Sequence, residues 1–80
     1  MDTITAIKHR ILELCEQRNM SINKLANLSA VPPSSVKNIL YGKSVNPKII
    51  TIKMLCDGLG ITLGEFFSTR EFHDLEQEIK

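Results

Sequence analysis

The chain of 80 residues lacks the features of membrane, secreted and zinc-dependent proteins. No apolar run approaches the roughly 20 residues that span a bilayer. The initial segment MDTITAIKHR lacks the basic start and apolar stretch of a signal peptide. The two cysteines, Cys15 and Cys56, are far apart and have no CxxC spacing, which argues against a zinc site. We therefore expect one cytoplasmic domain with two buried thiols and no metal site.

Signs of catalysis are also missing. His9 and His73 are isolated, and no nucleophile or carboxylate is arranged with them in a recognisable pattern. Gly58, Gly60 and Gly64 follow no strand pattern, so they are not expected to form a phosphate-binding loop. The sequence predicts a protein that is not an enzyme, uses no cofactor and has no small-molecule ligand.

Charge is unevenly distributed, although the net charge is only +1. Residues 17–56 contain six basic side chains and no acidic one, whereas residues 57–80 contain six acidic and two basic side chains. Chance composition is one explanation. The other is a central segment that faces a polyanion, followed by a tail that faces solvent or a partner.

Hydrophobic spacing predicts helices throughout, with no competing strand pattern. Five helices are expected, at about Thr3–Arg18, Ile22–Leu28, Pro32–Tyr41, Ile49–Leu59 and Thr62–Phe67. The third helix begins at two prolines, which lose no hydrogen bond in a first turn, and the fifth begins with the capping-box pattern Thr62 to Glu65. We divide the chain into a domain of residues 1–67 and a tail of residues 68–80, which forms a possible sixth helix.

The second and third predicted helices are joined by about three residues, which is the helix-turn-helix arrangement. The segment LANLSAVPPSSVKNILYGKSVNPKIITIKMLCDGLGITLGEFF resembles the Cro/cI-type, or XRE-type, helix-turn-helix family. The resemblance extends over roughly residues 4–67. It rests on the order and spacing of several short matches: Ser21, Leu25-Ala26, Val31, Ser35-Val36, Ile39, Gly42-Lys43, Asn46-Pro47, residues 59–63 and residues 65–67. It implies a compact, all-α, five-helix domain of the phage-repressor kind. The implied function is double-stranded DNA binding by a small prokaryotic or phage transcriptional regulator, with repression as the expected mode.

The resemblance further implies that the third helix enters the major groove. Because Val36, Ile39 and Leu40 form its inner stripe, the expected base-reading residues are Pro33, Ser34, Lys37 and Asn38. Lys37 suits guanine O6 or N7, and Asn38 suits adenine or a phosphate. Pro33 departs from the family, which often has a polar base-reading residue there; it offers only an apolar surface, such as a thymine methyl would contact.

The resemblance also implies phosphate contacts at the start of the second helix and in the loop after the third. The candidates are Ser21, Ile22, Asn23, Ser35, Lys43, Asn46 and Lys48. Ile22 replaces a glutamine that is common in the family, so one customary side-chain contact is absent. Ser35 either meets DNA or satisfies the protein backbone.

The tail leaves two alternatives open. Its apolar stripe either folds back onto the domain or pairs with a second copy or another protein. For a homodimer on a two-half-site operator, the contact candidates are Phe66, Phe67, Phe72, Leu75 and Ile79. The rival function is a protein-interaction module on the same fold, such as an antitoxin or adaptor subunit.

Overall fold

A computed structural model describes all 80 residues, and its regular structure is entirely helical. The six helices are α1 (Thr3–Gln17), α2 (Ile22–Ser29), α3 (Pro33–Tyr41), α4 (Ile49–Leu59), α5 (Leu63–Phe66) and α6 (Arg70–His73). The all-α fold class is thereby confirmed, and α1 to α4 lie within one residue of their expected bounds. None of the helices is both long and apolar enough to cross a membrane.

Side chains cap three of the helix starts. Asp2 Oδ1 accepts a hydrogen bond from the Thr5 amide at 3.0 Å, and this bond lowers the pKa of the Asp2 carboxyl. Ser21 Oγ accepts from the Lys24 amide in the same way. At α5, Thr62 and Glu65 each accept from the other's amide at 3.0 Å, which confirms the predicted capping box.

The hydrophobic core is built from the inner faces of α1 to α5. Its fully buried side chains include Ile11, Leu25, Leu55 and Phe66. The helix α2 packs mainly against α4 and also against α3, so the helix-turn-helix pair is supported from behind by α4. Both cysteines are free and buried, as expected, and burial raises the pKa of the Cys15 and Cys56 thiols.

The possible sixth helix is present as the short helix α6, but the expected apolar stripe of Phe72, Leu75 and Ile79 along it is wrong. The helix α6 begins after Thr69 and ends at His73, and the hydroxyl of the preceding Ser68 donates to the Glu65 carbonyl at 2.8 Å. Phe72, Leu75 and Ile79 therefore share no helical stripe, and Ile79 is 81% exposed. A short isolated helix is only marginally stable in water, and here residues 76 and 78 bond to the start of α1 instead of extending α6.

The aromatic part of the tail folds back onto the domain, as one of the two alternatives expected. The centroid of the Phe72 ring lies 4.9 Å from the ring centroid of Phe67 and 6.1 Å from that of Phe66. Phe66 is fully buried in its own core and is corrected from a dimer candidate to a core residue, because it presents no surface to a partner. Phe67, Phe72 and Leu75 are half-buried.

Candidate nucleic-acid interface

The outer face of α3 is open to solvent. Val36, Ile39 and Leu40 are buried beneath it, and the exposed side chains are Pro33, Ser34, Ser35, Lys37 and Asn38. The neighbour of α3 is α2, whereas α6 contacts α1. The structure therefore brings the four predicted base-reading side chains together on one free helix face, away from α6.

The start of α3 differs from an ordinary helix N-terminus. Pro32 is the N-cap residue, and Pro33 occupies the first helical position, so neither has an amide hydrogen. The amides of Ser35 and Val36 both donate to the Pro32 carbonyl, at 2.9 and 3.4 Å. This first turn consequently offers few free donors to an anion, and contacts from α3 must come from its side chains.

Gly42 ends α3 by allowing a close approach to Asn38. A Cβ atom at Gly42 would lie 2.2 Å from Asn38 Oδ1 and 2.7 Å from the Asn38 carbonyl oxygen. The φ angle of Gly42 is −93°, so space, and not a left-handed backbone, is what requires glycine here. The Asn38 side chain therefore lies at the junction between α3 and the loop of residues 42–48.

A polar notch of about 310 Å³ separates α3 from that loop and from the first turn of α4. It brings together three predicted phosphate contacts, Ser35, Asn46 and Lys48. It also contains Ser44 and Thr51, which sequence reasoning missed. The sequence signal that could have indicated them is that both carry short hydroxyl side chains near the lysines predicted to bind phosphate. We call this feature the α3–α4 notch.

The start of α2 offers a second set of donors. The Lys24 amide donates to Ser21 Oγ, whereas the amides of Ile22 and Asn23 have no acceptor within the chain. The Ile22 side chain is half-buried and packs against the core, so Ile22 can contribute only its amide. Such amides at a helix N-terminus favour a phosphate oxygen.

The lysines around α3 carry uncompensated charge. The chain forms five close contacts between basic and acidic groups, one of them between His9 and Glu71, and none includes Lys37, Lys43 or Lys48, all of which are exposed. The paired groups lie instead on the N-terminal Met1, on α1, α4 and α6, and in the tail. A helix face flanked by unpaired positive charge is the electrostatic pattern of a surface that meets a polyanion.

Comparison with known families agrees with this geometry. The family model for the Cro/C1-type helix-turn-helix DNA-binding domain matches residues 10–71, which include α2, α3, the loop and α4. The chain belongs to this family. The Cro/C1-type match includes all the predicted base and phosphate candidates, whereas Phe72, Leu75 and Ile79 lie outside it.

Individual relatives of this Cro/C1-type chain are transcriptional regulators and a prophage protein. The crystal structure of prophage Lp1 protein 11 is similar with a TM-score of 0.80 and 32% identity, over 94% of this chain and all of that one. The HTH-type transcriptional regulators PuuR of Escherichia coli K12 and of Shigella flexneri are each 34% identical over 70 residues, or 88% of this chain. The match spans 37% of the length of either PuuR.

Proposed function

We propose that this Cro/C1-type chain binds specific double-stranded DNA sites as a small prokaryotic or phage transcriptional regulator. The observation that carries the proposal is the exposed face of α3, with unpaired lysines on it and in the loop beside it. Repression is the simpler mode because it requires only that the operator be occupied. The site of action is cytoplasmic, where DNA is accessible.

In this proposal α3 lies in the major groove, which is wide enough to admit an α-helix. Lys37 donates to guanine O6 or N7, and Asn38 pairs with adenine or a phosphate. Ser34 is short enough to let the helix approach the base edges. The Pro33 ring contributes an apolar surface that fits a thymine methyl.

Two surfaces hold the DNA backbone on either side of the groove. The first is the start of α2, with the Ser21 hydroxyl and the amides of Ile22 and Asn23. The second is the α3–α4 notch, where Lys48 and several hydroxyls converge, with Lys43 in the same loop. Each lysine that neutralises a phosphate adds affinity without sequence information and makes binding sensitive to salt.

The functional form is proposed to be a homodimer on two half-sites, because one domain of this size contacts little DNA. Of the dimer candidates, Phe67, Phe72 and Leu75 retain accessible surface near α5 and α6, and Ile79 projects from the tail. Symmetric half-sites would be spaced by about one helical turn, roughly 34 Å, or a multiple of it.

The deciding experiment selects bound duplexes from a random pool at two salt concentrations. We expect one short, two-fold symmetric motif to be enriched and to survive at the higher salt. A Lys37→Glu variant should lose the motif, whereas Lys8→Glu, with the same charge change on α1, should retain it. A protein that shifts no duplex at low salt, yet copurifies with a specific protein, would belong to the antitoxin or adaptor class instead.

A further inference from the structure

We propose that the acidic tail, residues 74–80, weakens DNA binding by holding a carboxylate beside the phosphate-contacting loop. This inference rests on the proposed function and adds a regulatory contact to it. Three acidic side chains and one lysine make up the charge of the tail: Asp74, Glu76, Glu78 and Lys80. The tail is the last part of the acidic segment of residues 57–80, and the sequence alone did not predict where in the fold this segment lies.

The tail is attached to the start of α1 by polar contacts. Glu78 Oε2 accepts a hydrogen bond from the Thr3 amide at 3.0 Å. The Glu76 amide donates to the Met1 carbonyl at 3.4 Å, and its carboxylate lies 3.9 Å from the Met1 amino group. Both carboxylates belong to exposed residues, so these contacts hold the tail in place without locking it there.

The attachment places Glu78 beside the loop of residues 42–48. A cleft of about 510 Å³ has Glu78, Asp2 and the first turns of α1 on one side and the loop residues Val45, Asn46 and Pro47 on the other. Asn46 and Pro47 also line the α3–α4 notch. The cleft and one short loop segment therefore separate the tail carboxylate from the notch, where a phosphate is proposed to bind.

Because residues 46 and 47 line both the cleft that contains Glu78 and the notch, the two sites are neighbours, and at physiological salt charges are screened over a length of about 8 Å. A phosphate in the notch and the carboxylate of Glu78 repel each other across the loop. Tail docking and DNA binding therefore oppose one another, and by linkage each weakens the other to the same extent. The attached tail lowers affinity for all duplexes alike, because the repulsion acts on the backbone and not on the bases.

The test compares two variants that lose the same charge. Glu78→Gln keeps the shape and an oxygen that can accept from the Thr3 amide, but it removes the negative charge. Glu71→Gln is the matched control, because Glu71 is paired with His9 and lines a separate depression on α1 and α6. With a short mixed-sequence duplex at low salt, Glu78→Gln should lower Kd about three- to fivefold, with the difference shrinking as salt rises.

A second measurement follows the attachment directly. Exchange of the Thr3 amide hydrogen should accelerate when duplex is added to the unsubstituted chain, because Glu78 leaves it. Equal tightening by Glu71→Gln, or no tightening by Glu78→Gln while the unsubstituted chain binds duplex, overturns the tail proposal alone. Failure of every variant to bind any duplex overturns both proposals, and binding that appears only in Glu78→Gln supports both.

Discussion

Arg10 of α1 donates a hydrogen bond from Nε to the main-chain carbonyl oxygen of Phe66, at 2.7 Å, across 56 positions of sequence. Its Nη2 atom donates to the Glu65 carbonyl at 2.9 Å, and Nη1 pairs with Glu13. The Arg10 side chain is only 12% exposed. One guanidinium thus satisfies two carbonyls at the end of α5, a helix too short to be stable alone, and fixes Phe66 in the core.

We expect Arg10→Met to lower the free energy of unfolding by about 1–3 kcal/mol, because it removes the side-chain donor to the half-buried Phe66 carbonyl and one of the donors to the Glu65 carbonyl. Arg10→Lys should recover only part of the loss, since an ammonium cannot reproduce the planar fork that serves two acceptors. Urea unfolding measures both. The control is Arg70→Met, whose side chain is 87% exposed and 3.8 Å from Asp74; a loss as large there would show that Arg10 has no special role.

The crossing of α2 over α4 depends on a residue without a side chain. A Cβ atom at Gly58 would lie 2.1 Å from Ser29 Oγ and 3.1 Å from Ser29 Cα. Gly58→Ala should therefore destabilise the fold by about 1–3 kcal/mol, as overpacking of a core does. Ser29 Oγ is buried without a hydrogen-bond partner, so Ser29→Ala should cost little and should reduce the penalty of Gly58→Ala in the double variant. Additive losses in denaturant unfolding would contradict this contact.

The bounds of α1 to α4 could be predicted from the sequence because each of these helices has a strong local signal at its start or its end. Asp2 and Ser21 cap helices, prolines open α3, and glycines follow α3 and α4. The inner stripe of α3 then determines which side chains are exposed, so its open face could be predicted by elimination. These signals act over one or two helical turns, which is the range that a single sequence reveals.

What the sequence could not predict depends on contacts between distant residues. The spacing of Phe72, Leu75 and Ile79 suits a helix, but bonds from residues 76 and 78 to the start of α1 compete with it. The role of Arg10 has no local pattern, because its acceptors are main-chain atoms of α5. The notch likewise exists only once the loop has folded against α3 and α4.

The turn between α2 and α3 contains a backbone strain that can be relieved. Ala30 has φ = +55°, a left-handed conformation that costs a side chain about 1–2 kcal/mol. Ala30→Gly should raise the free energy of unfolding by about 0.5–1 kcal/mol, after the greater flexibility of glycine in the unfolded chain is subtracted. Asn19 also has a positive φ, but asparagine tolerates it, so Asn19→Gly should gain less. A loss of stability in Ala30→Gly would refute this reading of the turn.

The two lysines Lys37 and Lys43 allow base reading and phosphate binding to be separated. Lys37 is on the exposed face of α3, whereas Lys43 is in the loop that follows, and neither is paired with an acid. If Lys37 bonds a guanine, Lys37→Ala should weaken binding to a selected site by about 1–3 kcal/mol and should relax the preference for that base.

Lys43→Ala should instead weaken the selected site and random duplex equally, because a phosphate contact is independent of sequence. It should also reduce the slope of log Kd against log salt concentration by about one, the contribution of one released counterion. Titration of both variants against both duplexes at several salt concentrations provides the measurement. Equal losses for the two variants on both duplexes would remove the distinction between a lysine that reads a base and one that holds the backbone.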